Sequence, residues 1–121
     1  MGLDTYASHR PDDIELTEED LQAFREANIS LCGGLFSGDG CDGSFRGKVY
    51  AGHILDITGQ SLYAEWIPPE TVKEMCQALV DYESMRAPDE ELFGTAEKAH
   101  SDLVKFFKVC TERGLGLVGW S

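Results

Sequence analysis

The sequence predicts an α+β domain in which about four helices pack on a small two-stranded sheet formed by the N- and C-terminal segments. Three observations carry that reading. Apolar residues recur at helical spacing in four separate runs, a short strand-like stretch stands at each end of the chain, and nothing between reads as a linker, a low-complexity tract or an internal repeat. At 121 residues the chain has the length of one domain, taken as residues 1–121, and can bury roughly two thirds of the surface its unfolded form exposes.

Taken in order, Leu3 to Ser8 (LDTYAS) alternates apolar and polar side chains, the period of a half-buried strand, and the following His-Arg-Pro ends it. Thr17 is a helix N-cap with Asp20 three residues on, and Leu16 and Leu21 occupy the two positions of a hydrophobic staple. That predicts a helix over 18–28 with Leu21, Phe24 and Ala27 on its buried stripe. Phe45 to Thr58 places Phe45, Val49, Tyr50, Ile54 and Ile57 at helical spacing before Gly59, a natural C-terminal cap. Ser61 to Ile67 reads as an aromatic connector. The next helix starts at Pro68-Pro69-Glu70, since proline fits the first helical turn, and runs to about Met85 with Val72, Met75, Cys76, Leu79 and Tyr82 on one face. From Leu92 the stripe continues through Ala96, Ala99, Leu103, Phe106 and Cys110 to Gly114, which predicts the central packing helix. The tail LGLVGW has the length of one strand, and its partner is expected to be Leu3 to Ser8.

Charge restricts the partners. The 22 acidic against 10 basic residues give a formal charge of -12, a field that repels phosphate backbones and anionic membranes. Nucleic acid and membrane are therefore not expected partners. No apolar run has the roughly 18 residues of a bilayer span and the first residues lack signal-peptide character, so a cytoplasmic location is expected. The acid excess fits solubility or a salty cytoplasm; a sharper alternative is an acidic decoy for a basic protein.

One segment concentrates site-like chemistry. Cys32 to Lys48, CGGLFSGDGCDGSFRGK, holds six glycines, two aspartates, two cysteines and two basic side chains in seventeen residues. It is not a P-loop, because Gly47-Lys48 is followed by Val49 and the position five before Gly47 is Asp42. Gly38, Gly40 and Gly43 have GxGxxG spacing, but no Val/Ile strand precedes them and Asp39 and Asp42 would face a pyrophosphate. An EF-hand register from Asp39 puts Cys41, Gly43 and Tyr50 where oxygen ligands belong. No cofactor is implied. What remains is a turn-rich segment whose rim, Asp39, Asp42, Ser44 and Arg46, is the expected ligand-binding set, with Cys41 as a candidate reactive thiol.

The four cysteines, at 32, 41, 76 and 110, form no CxxC pair and no zinc-finger spacing with histidine, so no metal site is expected. Cys76 and Cys110 fall on apolar helix positions and are expected to be buried hydrophobes. A thiol enzyme would need an imidazole beside Cys41, and the histidines are 9, 53 and 100. His53 lies on an apolar helix face, the place of a satisfied boundary histidine, and His100 borders a stripe where half-exposure is expected.

The opening MGLDTYAS, with FRGKVY at Phe45 to Tyr50, resembles a loose group of small uncharacterised bacterial and phage proteins that begin Met-Gly-Leu-Asp-x-Tyr. The resemblance implies a bacterial or phage origin and carries over nothing about activity. The expectation from the residues is a non-enzymatic domain that binds a protein partner or small ligand near residues 32–48. The alternatives are a thiol-dependent enzyme or hydrolase using Cys41 with a His base, and the acidic decoy.

Overall fold

The computed structural model describes residues 4–9, 16–27, 29, 43–45, 47–63, 66–85 and 100–120. Its elements run β1 (Asp4–Ser8), α1 (Glu18–Glu26), β2 (Ser44–Phe45), α2 (Gly47–Thr58), β3 (Trp66–Ile67), α3 (Pro69–Met85), α4 (His100–Arg113) and β4 (Gly116–Trp120). The α+β class matches the expectation. The sheet does not stop at two strands: it has four antiparallel strands in the order β2-β1-β4-β3.

The two chain ends pair as expected, with Asp4 opposite Trp120, Tyr6 opposite Val118 and Ser8 opposite Gly116. This pair forms the centre of the sheet. Phe45, read from the sequence as a helical stripe residue, instead sits opposite Thr5 in β2, and the supposed connector supplies β3, where Ile67 lies opposite Leu117. Directly opposed residues share a face in an antiparallel ladder. Thr5, Ala7, Phe45, Ile67 and Leu117 therefore form one face, and all five are buried.

That face meets the helices. Phe106 of α4, wholly buried, has its ring 4.9 Å from Phe24 of α1 and 4.8 Å from Phe45 of β2. The expected central role of the last helix holds over 100–113, where Leu103, Val104, Phe106, Phe107, Val109 and Cys110 are buried; residues 92–99 lie outside the described set. α4 packs most extensively on α3, whose buried Val72, Met75, Cys76 and Leu79 repeat at the predicted spacing.

Local signals explain the boundaries. Thr17 and Asp20 form a full capping box at the start of α1, and Leu115 N–H donates to Cys110 carbonyl at 2.8 Å around Gly114, whose φ of +69° closes α4 in a Schellman turn. α1 ends at Glu26, two residues before its expected limit. Cys76 and Cys110 are free and buried, as expected. Burial pushes both thiols up, far up for Cys110. No helix among the described residues is long and apolar enough to cross a membrane.

Candidate functional site

Three elements meet at one carboxylate. Asp20, the third residue of α1, has a side chain only 1% exposed, although its neighbours Glu18 and Glu19 point into solvent. The helix start brings it there, because the capping box turns the carboxylate back over Thr17, whose backbone N–H donates to Oδ2 at 3.0 Å. His9, one residue past β1, places Nε2 at 2.8 Å from the same oxygen. Arg113, the last residue of α4, donates from Nε to Oδ1 at 2.7 Å. The carboxylate thus joins the exit of the first strand, the start of α1 and the end of α4.

The electrostatics follow from that geometry. Burial alone would push the Asp20 carboxyl up, but hydrogen bonds from the Thr17 backbone, Arg113, His9 and the Thr17 side chain outweigh it and hold Asp20 well below the usual carboxylate range. The same contact pushes the Arg113 guanidinium up. An ionised carboxylate only accepts, so His9 donates through Nε2, and neutral His9 therefore carries its lone pair on Nδ1. The His9 and Arg113 side chains are 39% and 34% exposed. A carboxylate that orients an imidazole is an arrangement that can serve acid–base chemistry, and the same held pair of polar groups can serve recognition.

The described end of the glycine-rich segment is built into the same corner. Gly43 carbonyl accepts from Ala7 N–H at 2.7 Å, and Gly43 adopts φ +82°. A side chain at Gly43 would collide with Leu16, beside the N-cap, and press on Phe24. Glycine is needed there for both backbone angle and space. Beyond Arg113, the outer side of α1 is an open depression of about 440 Å³ lined by Glu18, Glu19, Gln22, Ala23, Glu26 and Arg113.

Of the residues singled out from the sequence, Asp39, Cys41, Asp42 and Arg46 lie outside the described residues. Ser44 is described: it stands opposite Tyr6 in β2, on the sheet face away from Phe45, and is 3% exposed. It is a buried strand residue. Among the described residues, no group of three or more His, Cys, Asp or Glu side chains could hold a metal ion. His53 does have a partner, His100, whose Nδ1 lies 2.9 Å from His53 Nε2. The expectation that His100 is half-exposed is corrected: it is fully buried, because its ring hydrogen-bonds the Leu79 carbonyl and packs on Tyr82. Asp20 read from the sequence only as a helix-terminal residue. A short acid completing a capping box was the one local signal at Asp20, and nothing local pointed to Arg113.

Compared with protein-family models, curated proteins and solved structures, the chain matched none.

Proposed function

We propose that this chain is a non-enzymatic binding domain that takes a protein partner or small ligand at the corner where the glycine-rich segment 32–48 rejoins the sheet. One observation carries the reading: a single buried carboxylate fixes His9 and Arg113, each about one third exposed, beside the anchored Gly43. Groups held in this way lose little conformational freedom on binding. The glutamates lining the neighbouring depression, together with the net charge of -12, favour a cationic or hydrogen-bonding partner over an anionic one.

The test combines thermal-shift screening against divalent cations, nucleotides and a lysine-rich peptide with a pull-down and amide-shift mapping. Support is stabilisation with shifts centred on His9 and residues 18–26, weakened in His9→Ala. No stabilisation and no partner at any probe concentration sinks the reading.

A second reading, a hydrolase or thiol-dependent enzyme, is favoured by the Asp20–His9 pair, the arrangement that orients a general base. Here Cys41 would be the nucleophile. Alkylation rate of Cys41 against pH separates the two readings: a midpoint near the ordinary thiol value of roughly 8.5, unchanged in His9→Ala, rules out activation by His9.

A further inference from the structure

The Asp20 corner leaves one hydrogen-bonding atom unspent. His9 gives its Nε2–H to Asp20 Oδ2 at 2.8 Å, while its Nδ1 meets no hydrogen-bond partner among the described residues and the side chain is 39% exposed. The ring cannot trade its two nitrogens. Asp20 is 1% exposed, and its carboxylate is held by the Thr17 N–H at 3.0 Å and the Arg113 Nε–H at 2.7 Å, so it stays ionised and offers only lone pairs. Turning the ring over would put a carbon at Asp20 in place of Nε2. Neutral His9 therefore keeps a bare Nδ1, which accepts and never donates. Charge supplies the second half of the selection: along α1 and the end of α4, Glu18, Glu19, Asp20 and Glu26 outnumber Arg25 and Arg113, and the whole chain carries -12.

We propose that His9 Nδ1 is the specificity-determining acceptor of the binding corner, and that the group it receives is a cationic N–H donor, a lysine or arginine side chain of a basic protein segment. The inference rests on the binding reading above and narrows it. A carboxylate, phosphate or carbonyl brought to Nδ1 would set lone pair against lone pair. Hydroxyl and amide donors satisfy the atom, but a charged donor makes the stronger bond and is drawn in by the surrounding acids. Arg113 does not repel such a group strongly, because its own charge is met by Asp20 at 2.7 Å and Glu19 at 3.6 Å. Asp20 acts through His9, as a positioning residue that fixes which nitrogen is bare.

The experiment titrates the full chain, at about pH 8 where histidines are neutral, with four peptides of equal length rich in lysine, arginine, acetyl-lysine or glutamate, read by ¹⁵N spectra of the histidine rings and by calorimetry. The expected result is that the lysine or the arginine peptide binds and moves the His9 Nδ1 resonance, the comparison of the two showing which cation is preferred, while the acetyl-lysine and glutamate peptides bind at least about tenfold more weakly. His9→Leu should lose about tenfold in affinity for the basic peptide, the equilibrium change carried by one hydrogen bond. His9→Gln, which keeps an N–H for Asp20 and a carbonyl oxygen in place of Nδ1, should restore most of that loss. Should His9→Leu not fold, the Nδ1 resonance of the parent protein decides. Equal affinity in His9→Leu, or an acetyl-lysine or glutamate peptide that binds as tightly, overturns the proposal and leaves the binding reading standing. If no peptide moves His9 but another probe of the thermal-shift screen does, the proposal alone falls; if nothing binds at all, both fall.

Discussion

Replacing Asp20 by asparagine keeps the shape of the side chain and removes its charge. An amide presents one oxygen and one NH₂, whereas Thr17 N–H and His9 approach one side of Asp20 and Arg113 the other, so one side must set donor against donor. The Thr17 side-chain cap survives, so the cost is that of one mismatched buried group set against a donor, about 2–3 kcal/mol. His9 and Arg113 are partly in water, and screening there keeps their charges out of that figure. For a domain of this size the melting temperature falls by roughly 10 °C. The pH dependence fixes the mechanism. Asp20 is held below the ordinary carboxylate range in the folded state, so its contribution is full above the unfolded value of roughly 4 and is lost as pH falls toward the folded value. Urea unfolding of both proteins from pH 7 downward should therefore show the gap between them narrowing once the pH passes below about 4. A gap under about 0.5 kcal/mol at pH 7, or one that persists unchanged into strong acid, refutes the reasoning.

Phe106→Ala removes a wholly buried ring that touches Phe24 and Phe45, and should cost about 3–5 kcal/mol in denaturant unfolding. Thr5 Oγ1 is buried with no hydrogen-bond partner among the described residues, so Thr5→Val should raise stability by about 1 kcal/mol; a loss would mean that the hydroxyl is satisfied. Gly43→Ala forces a side chain at φ +82° against Leu16 and should destabilise by about 1–3 kcal/mol, measured in the same way. Cys76 and Cys110, buried and pushed up, should resist alkylation at pH 8 until denaturant is added, with mass spectrometry locating the label.

What could be read from the sequence depended on range. The Thr17–Asp20 box, the α3 stripe, the part of the last stripe that falls within 100–113 and the Gly114 cap are local patterns, and each appears where the spacing put it. The pairing of β1 with β4 also emerged, because two strand-like stretches had no other partners. β2 and β3 did not, since two residues are too few for a period, and Phe45 satisfied a helical spacing while lying two positions before the first residue of α2. The Asp20 corner depends on contacts across 11 and 93 positions, which no local spacing encodes. His100 was misjudged for a related reason: its burial is set by the Leu79 carbonyl and His53, on two other helices.

The tautomer of His9 tests the central claim most directly, because a fixed, ionised Asp20 excludes the Nδ1–H form that a free imidazole also populates. Long-range ¹H–¹⁵N spectra at a pH where His9 is neutral should show one form, protonated on Nε2 and bare on Nδ1. A rapidly exchanging mixture of both tautomers, as in a free imidazole, would contradict the account.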